Sequence, residues 1–330
     1  MAVIRGSMPS FELFQPTSVD AALALIGRHG AAARILGGGL DTFDALPDRV
    51  VQPAALVDLG GIAELQGIRE VGGGLEIGAM TTLAEIARHP IVQSQFAVLA
   101  RAAGAVGSPQ IRNQGTLGGN VSQSTRCWYY RSGWTCYRAG GNSCFADTPT
   151  AVNREHAIFD LDRCVAVNPS DTAPALVALD AQMVVRSSRG ERVVAAEDYF
   201  LGPDIDITRM TILDAGDLLT AIRVPATWAG AHFQFEKVRD RKVWDFPLVN
   251  IATAMKMSNG IIRDIRLVVN AVAARPRRLH EVENAVRGKP RDAATATLAG
   301  ELAIKGAQPL RHNTYKVALT RNLVQRAIRG

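Results

Sequence analysis

Behind Ser18, the apolar residues of SVDAALALIGRH recur at helical spacing and Gly30 follows them, which predicts a short amphipathic helix over 18–29 with Ser18 as its cap. A compact apolar run, Ala33 to Leu36, then reads as a strand ending in Gly37-Gly38-Gly39, and Val50 to Leu59 as a second strand-like stretch punctuated by Pro53. Two alternating runs, Leu65 to Ile68 and Leu75 to Gly78, flank the glycines at 72–74 and predict a hairpin. Helical patterns follow over Leu83–Ala87 and Ala97–Ala105. The polar, glycine-bearing stretch Ser108–Thr125 comes next, and an irregular segment runs on to Asn168. A structureless run of that length inside a compact domain is uncommon unless it is functional, so residues 126–164 call for a stabiliser other than a core.

Regular patterning returns after Asp171, with an apolar helix over Pro174–Asp180 and strands near Met183–Arg186 and Leu219–Val224. From Phe233 the order is strands (Phe233–Lys237, Asn250–Met257, Ile261–Val269) and then helices (Leu279–Val286, Ala293–Ala303, Tyr315–Ile328). Strands followed by helices indicate a separate α+β domain beginning near 225. At 330 residues, two or three subdomains are expected.

Composition narrows the function classes. With 47% hydrophobic and 21% charged residues the chain reads as globular, and its longest apolar runs fall short of the roughly 20 residues a membrane span needs. The N-terminus, MAVIRGSMPSFELF, has no apolar export core and no twin-Arg pair, so a cytoplasmic location is the simple expectation. The net charge of +6 is scattered, with Arg275, Arg277 and Arg278 the only cluster, and favours a solvated or partner-facing surface over a nucleic-acid site.

Two glycine-rich loops are the first candidates for chemistry. In Arg34 to Asp41, glycines directly after a strand let backbone N–H groups approach a pyrophosphate. A Rossmann fingerprint would need a glycine at 42, where Thr stands. In QIRNQGTLGGN, residues 110–120, three glycines lie within five residues between Thr116 and Asn120. Two such loops can embrace one pyrophosphate from both sides.

The ordered set ILGGGLD, IGAMTTLAEI, QIRNQGTLGGN, NPSDTAPALVALDA and FEKVRDRKVWDFPLVNIA resembles the flavin subunits of the xanthine dehydrogenase and carbon monoxide dehydrogenase family over nearly the whole chain. The resemblance implies an α+β fold: a two-part FAD domain of the p-cresol methylhydroxylase type, then a smaller domain with a three-stranded antiparallel sheet and helices. It divides the chain into FAD-binding subdomains at 1–62 and 63–224 and a C-terminal domain at 225–330. It further implies that Leu36, Gly37, Gly38, Gly39, Leu40 and Asp41, with Thr116, Gly118, Gly119 and Asn120, grip the FAD diphosphate and ribityl chain, and that Asp171 and Lys237 lie near the flavin end. Read alone, Asp171 is as well a helix cap and Lys237 a surface lysine.

All four cysteines, Cys127, Cys136, Cys144 and Cys164, fall in the irregular segment. Four thiols there suit two disulfides, a structural zinc or an iron-sulfur cluster, and intervals of 8, 7 and 19 residues do not decide among them. The segment CWYYRSGWTCYRAGGNSC, with NREHAIF and a fourth Cys before NPSD, is similar to the cluster-bearing insertion at about 126–165 in aldehyde oxidoreductase flavin subunits, which implies one [4Fe-4S] cluster on the four thiols. Seven residues separate Cys127 from Asn120 and Asp171 from Cys164, so each cysteine lies at most roughly 25 Å from its neighbouring flavin residue. Trp128, Tyr129, Tyr130, Trp134 and Tyr137 concentrate five of the 19 aromatics into ten residues, able to shield a cluster or to anchor a partner.

The resemblance completes the functional expectation. A large partner subunit holds molybdopterin and oxidises an aldehyde or N-heterocycle, a small partner holds two [2Fe-2S] centres, and this chain relays their electrons through FAD to an external acceptor. A flavin subunit like that of 4-hydroxybenzoyl-CoA reductase, or a zinc-stapled assembly subunit, is the alternative. Export alongside a signal-bearing partner is compatible with the same resemblance.

Overall fold

The structure is a computed structural model and describes residues 8–330. Strands β1 (Glu12–Phe14), β2 (Ala33–Leu36) and β3 (Ala55–Asp58) form a parallel sheet in the order β1-β3-β2. Helix α1 (Val19–His29) packs on it, capped by the Ser18 hydroxyl, which accepts from the Ala21 N–H at 3.2 Å. Its buried face, Val19, Ala22 and Ile26, meets Val57, Leu59, Ile62 and Leu65. The strand expected from residue 50 starts only at Ala55, after Pro53, which has no N–H for the ladder. Strand β1 is too short, at three residues, to carry an alternation in sequence. Helix α2 (Leu40–Ala45) follows the first glycine loop directly.

The second sheet is antiparallel and five-stranded, in the order β4-β5-β8-β6-β7, with β4 (Ile68–Val71), β5 (Gly74–Gly78), β6 (Gln182–Ser187), β7 (Gly190–Ala195) and β8 (Leu218–Val224). Gly72 and Gly73 turn the first hairpin with φ of 58° and 76°, a conformation β-carbons resist. Its first strand begins at Ile68, because Leu65 is buried in a 3-10 turn below the sheet. Helices α3 (Leu83–Arg88), α4 (Pro90–Gln95), α5 (Ala97–Gly104), α6 (Pro109–Gln114) and α7 (Leu117–Ser122) precede the cysteine segment. The polar, glycine-bearing stretch 108–125, whose residues 110–120 read as a loop, carries two short helices, capped by the hydroxyls of Ser108 and Thr116. Within the cysteine segment regular structure is limited to α8 (Trp128–Arg131) and two 3-10 turns; α9 (Thr172–Ala178) and α10 (Ala196–Tyr199) follow.

The C-terminal sheet has four strands, not the expected three: β9 (His232–Val238), β10 (Val249–Ser258), β11 (Ile261–Asn270) and β12 (Arg277–Arg278), in the order β12-β11-β10-β9. The fourth is two residues long, pairing with Val268 and Val269, and has no legible period. Alternation along β10 and β11 splits the side chains between two cores. Ala252, Ala254 and Val268 face the core beneath α9, while Ile251, Met255, Leu267 and Val269 face the core shared with α11 (His280–Val286), α12 (Ala293–Ala303) and α13 (Tyr315–Arg329). Each fully buried aliphatic side chain contributes about 1.5–3 kcal/mol, so this two-sided strand pair welds the domain to the rest. Among the described residues no helix is long and apolar enough to cross a membrane.

Candidate functional site

A cleft of about 900 Å³ opens between the first two sheets and the β9–β10 loop. Ten of the twelve residues expected at the flavin line it; Leu36 turns into the core at 6% exposure, and Lys237 lies behind Asp171. The first loop passes over the second so closely that a Cβ on Gly38 would stand 2.0 Å from the Gln114 carbonyl oxygen. Gly39, at φ 79°, turns the chain into α2, and a Cβ there would meet the Phe43 ring at 2.7 Å.

The second loop is fixed from below by the IGAMTT stretch. Gly118 N–H donates to Ala79 O at 2.8 Å, Leu117 N–H to Thr81 O at 2.9 Å, and Leu83 N–H returns to Gly115 O at 2.9 Å. Gly118 must be small, since its Cβ would lie 2.9 Å from Ala79, whereas a Cβ on Gly119 would have only the Thr116 hydroxyl near it, at 3.0 Å. The first turn of α2 brings N–H groups without intrahelical partners to the cleft wall, the arrangement that receives a phosphate, whereas those of α7 are taken by Thr81 O, Ala79 O and the Thr116 hydroxyl. The Asn120 carboxamide oxygen accepts from the hydroxyls of Ser170 and Thr172 at 2.6 and 2.7 Å, tying this loop to the start of α9.

Asp171 sits at the start of α9 but caps nothing with its side chain; the Ser170 hydroxyl does that, accepting from Ala173 N–H at 3.0 Å. Its carboxylate instead meets Lys237 Nζ at 2.5 Å and accepts from Asn250 at 3.0 Å. Both charged side chains are 3% exposed, which rules out the surface-lysine reading, and Lys237 also donates to Ala105 O at 3.1 Å. Burial pushes Asp171 up to about 6, against the pull of Lys237 and Asn250.

Asp41 lines the cleft while its carboxylate faces the cysteine segment, accepting from Arg131 at 2.5 Å and Ser124 N–H at 3.1 Å, with Arg126 at 3.1 Å. Burial opposes its ionisation, but Arg131 and Arg126 outweigh it and hold Asp41 below the usual carboxylate range. Those arginines bracket Cys127.

All four cysteines are free thiols and line one small cavity. Cys127, Cys136 and Cys144 each occupy the position before a helical turn. Burial pushes Cys127 up to about 11, and the backbone N–H groups of Tyr129 and Tyr130 bonded to it act in the opposite direction. Cys144 is likewise raised by burial and bonded by the N–H groups of Val165, Ala146 and Asp147. Such N–H donors favour thiolate, the form that binds metal. Tyr129, Tyr130 and Tyr137 line the cavity, but Trp128 and Trp134, 61% and 48% exposed, point away, so only part of the aromatic set shields it. Thr125 and Cys127 line this cavity while Arg126 lines the cleft, which puts the two sites one residue apart along the chain.

Sequence reasoning missed two walls of the cleft. The turn Asp214–Leu219 carries only Gly216 as a signal. Trp244, Asp245 and Phe246 stand in the FEKVRDRKVWDFPLVNIA stretch, from which only Lys237 was singled out; Phe246 lies under the Arg126 guanidinium at 4.8 Å.

Known proteins carry the same organisation. The FAD binding domain in molybdopterin dehydrogenase matches residues 9–227, and the CO dehydrogenase flavoprotein C-terminal domain matches 233–330. The chain is 31% identical over 325 residues to the carbon monoxide dehydrogenase medium chain of Hydrogenophaga pseudoflava, covering 97% of this chain and 96% of that one. It is 31% identical over 312 residues to the aldehyde oxidoreductase FAD-binding subunit of Escherichia coli strain K12, covering 93% and 94%. The solved carbon monoxide dehydrogenase of Hydrogenophaga pseudoflava aligns at a TM-score of 0.77 and 30% identity over 97% of this chain and 96% of that one. With a mixed helix and sheet FAD-binding fold joined to the C-terminal domain of the same flavoproteins, the chain belongs to the FAD-binding medium subunits of the molybdenum hydroxylases, a family of molybdenum-containing oxidoreductases.

Proposed function

We propose that this chain holds FAD and one [4Fe-4S] cluster side by side and carries electrons for a molybdenum hydroxylase whose substrate is oxidised on another subunit. The observation that carries this reading is the adjacency of the all-cysteine cavity and the cleft, joined through Thr125, Arg126 and Cys127. The three sheets support reading the chain as FAD-binding subdomains at 1–62 and 63–224 and a C-terminal domain at 225–330. In this reading Gly37 to Asp41 and Thr116 to Asn120 enclose the diphosphate and ribityl chain, with Leu36 contributing only backbone. Asp171, held by Lys237 and Asn250, orients the flavin end. The isoalloxazine supplies the redox chemistry when bound, and the protein supplies position and electrostatics.

Four thiols lining one cavity suit a structural zinc and a [4Fe-4S] cluster alike. The likeness of the segment to the cluster-bearing insertion of aldehyde oxidoreductase flavin subunits is what favours the cluster. Among the described residues no group of three or more His, Cys, Asp or Glu side chains is already arranged to hold a metal ion. Because its relatives are named a medium chain and an FAD-binding subunit, we infer partners here too: a large subunit with molybdopterin and a small one with two [2Fe-2S] centres, from which electrons pass through FAD to an external acceptor.

Metal and flavin analysis of the anaerobically purified chain tests the assignment. The expected result is FAD with iron and sulfide in equal amounts, and visible absorption that bleaches on reduction; zinc without iron overturns it.

A further inference from the structure

Arg138 is 5% exposed, lines the cysteine cavity, and has no hydrogen-bond partner at Nε, Nη1 or Nη2. A guanidinium always carries its charge, and a buried one without partners is strongly unfavourable, so such a group is retained only where something completes it. His156, 3% exposed, brings Nε2 to 3.2 Å from Cys127 Sγ, while its Nδ1 is buried and unpartnered. If the thiol kept its proton it would donate to Nε2, and Nδ1 would then hold an N–H with nothing to receive it. With Cys127 as a thiolate, Nε2–H donates to sulfur and Nδ1 is left as a bare acceptor, the less costly orphan.

We propose that the unpartnered Arg138 guanidinium lining the cluster site and the His156 Nε2–H on Cys127 Sγ together raise the reduction potential of the [4Fe-4S] centre. The inference rests on the cluster reading above. Four thiolates around an oxidised cluster make a net dianion, and one added electron makes a trianion. A fixed cation and a fixed N–H dipole beside it therefore stabilise the reduced form more than the oxidised one. No proton needs to move, because Arg138 is already charged and His156 already donates.

The test is an EPR-monitored redox titration, with iron analysis, of the whole assembled protein carrying Arg138→Met, Arg138→Lys or His156→Phe. Arg138→Met should lower the midpoint potential so that the reduced-to-oxidised ratio at fixed poise falls at least roughly tenfold, about 59 mV for one electron. His156→Phe should shift it in the same direction, and Arg138→Lys should restore most of the wild-type value. A full iron complement at unchanged potential in Arg138→Met overturns the inference. Should Arg138→Met lose its iron, retention in Arg138→Lys supports the need for a cation, whereas equal loss in both overturns it. Absence of iron from the wild-type protein is a different result and removes the cluster reading itself.

Discussion

Asp41, at the end of the first glycine loop, and Arg131, 90 residues further along, meet at 2.5 Å with only 18% and 14% of their side chains exposed. Asp44, one turn later, reaches Arg126 at 3.0 Å, so the helix that opens at the cleft also clamps both arginines flanking Cys127. The first glycine loop and the cysteine segment are therefore one mechanical unit.

Replacing Asp41 with Asn should disturb both sites together. The substitution keeps the shape but leaves Arg131 and Arg126 with the more exposed Asp44 as their shared charge, a loss of about 2 kcal/mol for hydrogen bonds to an ionised group. Urea midpoints, FAD content and iron content should all fall in the one variant. If the flavin content fell while iron and stability stayed at wild-type values, Asp41 would be serving the cleft alone.

Gly38 and Gly119 should behave differently although both stand in glycine loops. A Cβ at Gly38 would run into the Gln114 carbonyl, so Gly38→Ala forces the loops apart, with overpacking of about 1–3 kcal/mol and loss of flavin. At Gly119 the same carbon meets only the Thr116 hydroxyl, so Gly119→Val should cost less stability than Gly38→Ala while weakening FAD binding at least roughly tenfold, about 1.4 kcal/mol. Flavin titration beside thermal melts separates the two. Stoichiometric FAD in Gly119→Val would put the diphosphate elsewhere.

These contrasts mark what is legible in the sequence. Local rules found α1 from Ser18 and Gly30, the Gly72-Gly73 hairpin, and the long helices and strands after Phe233, because capping, turn conformation and alternation act over a few residues. Motif order brought both glycine loops and Asp171 to one cleft. It did not reveal that Gly38 is required by a neighbouring backbone, that Asn120 holds Ser170, or that Asp41 turns toward the insertion, since each depends on what the fold brings opposite. Arg138 carries no signal in sequence at all; one arginine among many becomes informative only once it is seen buried without a partner.

Asp171 gives the apoprotein a pH dependence of unusual sign. Its ordinary value is 3.8 and its folded value about 6, so between these the native state keeps a proton that the unfolded chain has released. Stability from this group is therefore greatest at the acid end and falls as pH rises through that window, by on the order of 3 kcal/mol, and is level above it. Asp171→Asn should remove this contribution to the slope between pH 4 and 6. Urea midpoints across that range decide the matter, and a slope surviving intact in the Asn variant would assign it to other groups.

The last prediction concerns how the cysteine segment is held against the C-terminal domain. Asn313, fully buried just before α13, donates from Nδ2 to the carbonyls of His156 and Ala157, each at 3.0 Å, while its Oδ1 accepts from Leu310 N–H at 2.6 Å. Lys316, one turn on and equally buried, donates to Glu155 O at 2.9 Å and Ala271 O at 2.7 Å. The chain carrying His156 is thus fastened by polar side chains of the C-terminal domain in addition to Ile158 and Phe159, which enter that domain's core. Asn313→Ala strips partners from two buried carbonyls and one N–H, each unsatisfied group costing about 1–3 kcal/mol. The loss should fall on local opening of residues 153–157 before it reaches the global unfolding midpoint. Hydrogen exchange should show those amides, with the neighbouring cysteine turns, protected at least roughly tenfold less while α9 and β10 exchange as in the wild type. Uniform loss of protection across the chain would instead make Asn313 part of the global core, and the cysteine segment would have no separate anchor.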